Sequence, residues 1–260
     1  TLHSYAGGLF RHCALTAAAS GGSKLRHLIR EQTMRDMFSL AHAFTARWEG
    51  GLAEHPADPG GLTKYGVSMR WVQDLAREAR EECLRLRRSC DGCVRPAAGD
   101  CAWQALDLDM DGDVDADDVR ACTRAQAAAL FRRHFWDRLA CGRLPLPLAV
   151  TLYDGAVNMG PARAVRQLQS AMNLVGEAEL EHWNPIAEDG LMGPKTRELA
   201  EALNGVDLAF RAARQSLRRR EAFYRDLAVR RPSMKVFLQG WRNRVADLAA
   251  YLGELERGSF

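Results

Sequence analysis

The sequence lacks a long hydrophobic run, so we expect none of its helices to span a membrane. Within its 260 residues, no uninterrupted apolar stretch reaches the roughly 18 residues needed to cross a bilayer. We also expect no secretory signal in residues 1–33, because Arg11 and His12 interrupt the weakly apolar segment 9–19 and a Ser/Gly-rich segment follows. We therefore interpret residues 1–33 as a loosely ordered basic tail that precedes the folded unit.

Strand patterns are scarce and internal repeats are absent, which disfavours sheet-based and repeat architectures. Most of the chain carries apolar residues at helical spacing, as in residues 37–48. The spacing of Thr123 and Gln126 predicts a capping box that begins a helix running through Trp136. Pro161 fits the first turn of a later helix. Residues 50–67 differ, because glycines and prolines break the pattern and predict turns with one or two short strands. A hydrophobic content of 47% and a charged content of 27% are ordinary for a globular protein. The sequence predicts a mainly helical fold with a small hairpin.

The seven cysteines are an odd number, and four of them cluster in residues 83–101. These are Cys83, Cys90, Cys93 and Cys101. Their spacing lacks the paired short knuckles that identify a zinc site. A zinc site, a disulfide in an oxidising compartment and free thiols all remain open from the sequence.

A short motif at the end of the first predicted helix carries the strongest chemical signal. Residues 47–51 read RWEGG, and residues 58–67 read DPGGLTKYGV. The motif places Glu49 at a helix end beside Trp48, followed by Asp58 and Thr63 in a glycine-rich turn. We expect partial burial to raise the pKa of Glu49, so that it can act as an acid near neutral pH.

Two carboxyl groups and a hydroxyl are suited to cleaving a glycosidic bond. Glu49 would protonate the leaving oxygen, Asp58 would stabilise positive charge or direct a water, and Thr63 would hold that water. Tyr65 could stack on a sugar ring or belong to the core. The alternative is purely structural, with Glu49 as a helix-end carboxylate, Asp58 as a turn former and Thr63 as a surface residue.

These residues resemble the N-terminal signature of glycoside hydrolase family 108, a family of bacterial and prophage N-acetylmuramidases. The resemblance continues in three further segments. They read YDGAVNMGP at 153–161, DGLMGPKT at 189–196 and FLQGWRNRV at 237–245, and all three are similar to the family's C-terminal peptidoglycan-binding region. The four segments occur in the family's order and together span most of residues 37–247.

The resemblance implies a mainly α, lysozyme-like (α+β) fold: a helical bundle with a small β-hairpin beside the active site. It implies that Glu49 is the catalytic acid. The order of Glu49, Asp58 and Thr63 is also similar to phage muramidases of the T-even type, which implies inversion at the anomeric carbon. An inverting pair predicts carboxyl groups about 6.5–9.5 Å apart. We expect Tyr65, Tyr153 and Asn158 to bind substrate, although Asn158 could instead end a helix.

The same resemblance divides the chain. We expect a catalytic region over residues 34–147, with an insertion at 83–122, and a helical peptidoglycan-binding region over 148–260. The implied activity is hydrolysis of the β-1,4 bond between N-acetylmuramic acid and N-acetylglucosamine. The alternative is a non-catalytic wall-binding or secretion-assisting protein.

The insertion contains an acidic loop with the spacing of an EF-hand or dockerin-like calcium site. Residues 107–118 read DLDMDGDVDADD, with glycine at position 6 and an apolar residue at position 8. The predicted ligands are the side chains or carbonyls of Asp107, Asp109, Asp111, Asp113, Asp115 and Asp118. We expect a structural calcium ion here and no cofactor for catalysis. The alternative is an acidic surface loop that binds no metal.

Charge and partners follow from the same observations. The net charge is +3. The segment from Arg211 to Arg231 contains eight arginines and only two acidic residues, Glu221 and Asp226. This segment either forms a solvated helix face or binds an anionic polymer.

We expect a monomer that binds peptidoglycan, does not bind nucleic acid and does not insert stably into a membrane. It would be made in the cytoplasm and act in the periplasm or cell wall after export or holin-mediated release.

Overall fold

The computed structural model describes residues 37–52, 61–85, 106–205 and 207–258. Within these residues the protein is mainly helical, which confirms the predicted fold class. Helix α1 is described over residues 37–48. The later α-helices are α2 Met69–Arg85, α3 Ala116–Ala121, α4 Arg124–Phe131, α5 Leu146–Met159, α6 Pro161–Glu179, α7 Pro194–Ala202, α8 Leu208–Arg230 and α9 Leu238–Arg257. A π-helical turn spans Arg132–Asp137, and 3-10 turns span Cys141–Arg143, Leu203–Gly205 and Pro232–Phe237.

The predicted hairpin is present and short. Strand β1 (Thr63–Lys64) pairs antiparallel with β2 (Val67–Ser68), with Thr63 opposite Ser68. The two intervening residues, Tyr65 and Gly66, both have positive φ, as a tight two-residue hairpin turn requires. Ser68 also caps α2, since its hydroxyl accepts the Trp71 amide at 3.3 Å.

Helix α5 forms the centre of the core. It is mostly apolar, and every residue from Pro147 to Ala156 is buried, including the polar Thr151 and Asp154, as expected for a helix surrounded by protein. Helices α6, α8 and α9 pack against it. The neighbouring α6 begins at Pro161 directly after Gly160, where a first-turn proline is favoured. Helix α5 therefore joins the predicted catalytic region to the C-terminal helices through one continuous core.

The DGLMGPKT segment forms a loop that leads into α7, and the buried side chain of Gln169 makes several of its contacts. The Gln169 Nε2 donates to the Asp189 carboxylate, the Leu191 carbonyl and the Thr196 hydroxyl at 2.8, 3.0 and 3.1 Å. Its Oε1 accepts the Gly190 amide at 2.9 Å. This part of the motif therefore has a structural role, because its polar groups are paired with Gln169.

Candidate active site

Glu49 lies directly after helix α1, next to the hairpin, with a side chain that is 19% exposed. The closest approach is at Gly66, the second residue of the hairpin turn. A β-carbon placed there would lie 2.9 Å from Glu49 Cβ, 2.9 Å from Phe131 Cζ and 3.0 Å from Glu49 Oε2. Only glycine fits this position, because it also has a φ of +79°. The turn therefore fixes the carboxyl group against the hairpin.

Burial raises the pKa of the Glu49 carboxyl, as the sequence predicted. Desolvation is the largest cause, and the opposing cause is the guanidinium of Arg244. The Arg244 Nη2 lies 2.9 Å from Glu49 Oε1. The contact is a close ion pair without hydrogen-bond alignment, so Oε1 is buried without a hydrogen-bond partner among the described residues. Desolvation outweighs the cation, and the protonated acid is favoured beyond its usual pH range.

Asp154 lies behind Arg244 at the centre of a buried ion network. Its carboxylate accepts hydrogen bonds from Arg244 Nη2 at 2.7 Å, from Arg220 Nη1 at 2.6 Å and from the Thr45 hydroxyl at 3.1 Å. Burial by itself would raise the pKa of Asp154, but the charges of Arg220 and Arg244 outweigh it and the pKa is lowered. Asp154 is therefore a buried carboxylate with two arginine partners.

Asn158 connects to this network through Tyr224. The Tyr224 hydroxyl accepts from Arg220 Nε at 2.8 Å and donates to Asn158 Oδ1. Asn158 is partly exposed, so its predicted contact with substrate stays a prediction.

Tyr153 lies in the core, which corrects the prediction that it binds substrate. Its side chain is 0% exposed, and its ring packs edge-on against Phe38 and Trp136. Its hydroxyl shares a hydrogen bond of 2.9 Å with His42 Nδ1. A fully buried ring offers no surface to a sugar, so the structure does not support the predicted substrate contact and places Tyr153 in the core.

The remaining predicted site residues lie on or near the hairpin. Thr63 is partly buried in β1. Tyr65 occupies the turn, where the Arg124 guanidinium lies 4.7 Å from its ring centroid. Asp58 lies outside the described residues, and its distance from Glu49 therefore stays a prediction. The roles of Thr63 and Tyr65 stay predictions as well.

The acidic loop brings its aspartates together as a chelating site requires. Carboxylate oxygens of Asp107, Asp109 and Asp118 lie within 4.8 Å of one another, and so do those of Asp113, Asp115 and Asp118. Asp118 belongs to both groups. It is buried, and its two oxygens accept the Leu108 and Asp115 amides at 2.5 and 2.6 Å.

Two aspartates of the loop, Asp109 and Asp113, have raised pKa values. The negative charge of Asp111 is the largest cause of a raised pKa at Asp113. Desolvation, followed by repulsion from Asp111 and Asp107, raises the pKa of Asp109. The carboxyl of Asp111 is turned to the loop backbone, where it accepts the Asp113 amide at 3.0 Å. A divalent cation would relieve this repulsion, and oxygen-rich sites of this kind suit calcium.

The acidic loop also contacts the hairpin. Lys64 of β1 donates through Nζ to the carbonyl of Arg120 in α3, the helix that closes the loop. The predicted capping box of α4 is confirmed, since Thr123 and Gln126 cap each other's backbone amides, and Arg124 of α4 covers Tyr65. The insertion is therefore in contact with the strand that carries Thr63.

The cysteine cluster cannot be assigned from the structure, because Cys90, Cys93 and Cys101 lie outside the described residues and so does the side chain of Cys83. Cys122 and Cys141 are buried free thiols. No described helix is both long enough and apolar enough to cross a membrane.

Two family models match successive parts of the chain. Residues 42–160 match the family model Glycosyl hydrolase 108, and residues 163–246 match a model described as Predicted Peptidoglycan domain. None of the curated proteins matches the chain. A solved structure from Brucella abortus, SagA, is similar in fold, with a TM-score of 0.54 and 22% identity over 84% of this chain and 94% of that one. The region that contains Glu49 is thus similar to Glycosyl hydrolase 108, and together the two matches support a glycoside hydrolase that acts on peptidoglycan.

Proposed function

We propose that the protein hydrolyses the β-1,4 bond between N-acetylmuramic acid and N-acetylglucosamine, with Glu49 as general acid. The observation that carries this proposal is the placement of Glu49: partly exposed at a helix end, packed on Gly66 of the hairpin, with a pKa that desolvation raises. Glu49 gives its proton to the bridging oxygen as the bond from that oxygen to the anomeric carbon breaks. A water then adds to that carbon and releases a proton.

Asp58 and Thr63 complete the proposed mechanism. Asp58 takes the proton of the attacking water, and the Thr63 hydroxyl orients that water on the face opposite the leaving group. This arrangement inverts the anomeric carbon. Asn158 and Tyr65 are proposed to contact the glycan. The site of action is then the wall itself, in the periplasm or cell wall.

Substitution of Glu49 tests the assignment. Glu49→Gln keeps the shape but removes the transferable proton, and we expect turnover of purified sacculi to fall by at least about 100-fold. Glu198→Gln on α7 is the matched control and should digest walls at the wild-type rate. Mass spectrometry of the digested sacculi identifies the bond that is cleaved. Near wild-type digestion by Glu49→Gln would overturn the assignment.

A second candidate is a non-catalytic wall-binding protein, and the contact between Arg244 and Glu49 favours it. A permanent cation 2.9 Å from Oε1 stabilises the ionised carboxylate, as in a structural ion pair. A sacculus pull-down combined with a reducing-sugar assay separates the candidates. Binding without release of reducing ends supports the second one.

We also propose that the acidic loop binds calcium and thereby orders the hairpin. The support is the shared position of Asp118 in both carboxylate groups and the contact from Lys64 to Arg120. Millimolar calcium should raise the melting temperature of the wild type but not of Asp118→Asn. Asp117→Asn, next to Asp118 but outside both carboxylate groups, is the control and should keep the response. An unchanged wild-type melting temperature would exclude the site.

A further inference from the structure

The two oxygens of Glu49 have different surroundings. Oε1 is buried and lies against the Arg244 guanidinium. Oε2 lies on the side of the hairpin turn, 3.0 Å from the position that a β-carbon at Gly66 would take. A guanidinium carries only N–H donors and has no acceptor. A proton on Oε1 would therefore point at a cation that cannot accept it. The acidic proton of Glu49 belongs on Oε2, the oxygen on the hairpin side.

Asp154 holds Arg244 in this orientation. The Arg244 Nε and Nη2 both lie within hydrogen-bond distance of the Asp154 carboxylate, at 3.1 and 2.7 Å from Oδ1. The guanidinium is 5% exposed, so it has no solvent-facing alternative. Arg220, on the neighbouring helix α8, binds the other carboxylate oxygen at 2.6 Å. The planar fork of Arg244 thus contacts Asp154 and Glu49 at once, which a lysine could not reproduce.

The charges of the network suit an acid that must hold a proton and then release it. Asp154 offsets part of the positive charge of Arg244, which limits the pull of that cation on the Glu49 proton. Once Glu49 has protonated the leaving oxygen, the new carboxylate lies beside Arg244, which stabilises it. The same pair of residues therefore acts on both protonation states of Glu49.

We propose that Arg244, held by Asp154 and Arg220, is a positioning residue for Glu49: it directs the acidic proton to Oε2 and stabilises the carboxylate that forms. Arg220 and Arg244 lie on α8 and α9, outside residues 42–160 that match Glycosyl hydrolase 108. The C-terminal helices are then part of the catalytic machinery as well as a wall-binding region. This inference rests on the proposed role of Glu49 as the general acid.

The test measures the protonation of Glu49 directly. Among the described residues, the ionisable groups that act on it are Arg244 of α9, Arg220 of α8 and Asp154 of α5. Burial, followed by the charges of Asp154 and Glu49, raises the pKa of the nearby Tyr153. Carbon-13 NMR follows the Glu49 carboxyl through a pH titration in the wild type, Asp154→Asn and Arg244→Met, with Glu49→Gln used to assign the signal. The control is Arg242→Met, an exposed arginine on the same helix that pairs with Glu221.

We expect opposite shifts. Arg244→Met removes a cation, so the midpoint of the Glu49 titration should move up by about one pH unit. Asp154→Asn removes an anion and leaves two arginines without their partner, so the midpoint should move down by about one pH unit. Arg242→Met should leave it unchanged. The alkaline limb of the kcat profile on sacculi should follow the same directions. In Arg244→Met, kcat should fall at least about 10-fold with little change in KM.

The inference would be overturned if the Glu49 titration moved in the same direction in both variants, or did not move at all. A merely structural role would lower activity without moving the Glu49 titration in opposite directions. If Asp154→Asn does not fold, Arg244→Met alone decides, since an unchanged titration there is sufficient to reject the proposal. The NMR titration requires no turnover. An active Glu49→Gln enzyme would therefore overturn the proposed function, while an unmoved Glu49 signal would overturn only the role of Arg244.

Discussion

Replacing Gly66 with alanine tests whether the hairpin turn positions the catalytic acid. The new methyl group would lie 2.9 Å from Glu49 Cβ and 2.9 Å from Phe131 Cζ. Neither atom is at the free end of a flexible chain, so the turn or the carboxyl group must move. The φ of +79° at this residue adds backbone strain that glycine does not experience.

The expected cost follows from these two causes. A left-handed conformation costs a non-glycine residue about 1–2 kcal/mol, and overpacking adds about 1–3 kcal/mol. The total of about 2–5 kcal/mol should lower the melting temperature by roughly 5–15 °C for a chain of this size. A displacement of the Glu49 carboxyl by about 1 Å should lower kcat by about 100-fold, because proton transfer depends on geometry.

Thermal denaturation and a sacculus-digestion assay measure the two effects separately. Gly258→Ala is the control, since Gly258 also has a positive φ of +64° but no atom within 4 Å of the position that a β-carbon would take. We expect the control to lose only the stability that backbone strain explains and to retain full activity. A Gly66→Ala protein with wild-type turnover would refute the claim that the turn positions Glu49.

Two further predictions concern stability. Burial, followed by repulsion from nearby arginines, lowers the pKa of His134 from 6.5 to about 4. A base with a lowered pKa stabilises the fold above pH 6.5, and this contribution is lost as the pH falls toward 4. The melting temperature should therefore fall less steeply in that range for His134→Gln than for the wild type, and His182→Gln, at an exposed site, should match the wild type. Gln169→Leu leaves the Gly190 amide and other groups of its loop unpaired, so chemical denaturation should show a loss of about 2–4 kcal/mol, and Gln239→Leu on the surface should cost less than about 0.5 kcal/mol. Equal stability of the two glutamine variants would contradict the structural role of Gln169.

Several elements of the fold followed from local sequence. The break after Glu49, the capping box at Thr123, and the start of α6 at Pro161 depend on residues a few positions apart, which is why the pattern predicts them. The helix that follows Thr123 was predicted to run through Trp136. It does so, with a π-helical turn over Arg132–Asp137 that no local signal indicated.

Other predictions were limited by what local patterns can encode. Tyr153 lies in a motif that resembles a wall-degrading family, and this placed it near substrate, yet α5 is surrounded by other helices and its ring is buried. The arginine-rich segment 211–231 was interpreted as a solvated face or a polymer-binding surface. Arg220 departs from both interpretations, because it is 1% exposed and paired with Asp154. Charge density along the chain does not show which arginine points inward.

The sequence by itself determined the local chemistry: a glutamate at a helix end before a glycine turn, and an acidic loop whose aspartates lie within 12 residues. In both features the residues are only a few positions apart in the sequence, so the local backbone is sufficient to bring them close together. Only the tertiary structure decided what surrounds the acid. Asp154 meets Arg220 and Arg244 across 66 and 90 residues of chain, and those contacts exist because α8 and α9 pack on α5. The periodicity of the sequence does not predict these contacts, because they depend on how separate helices pack into one core.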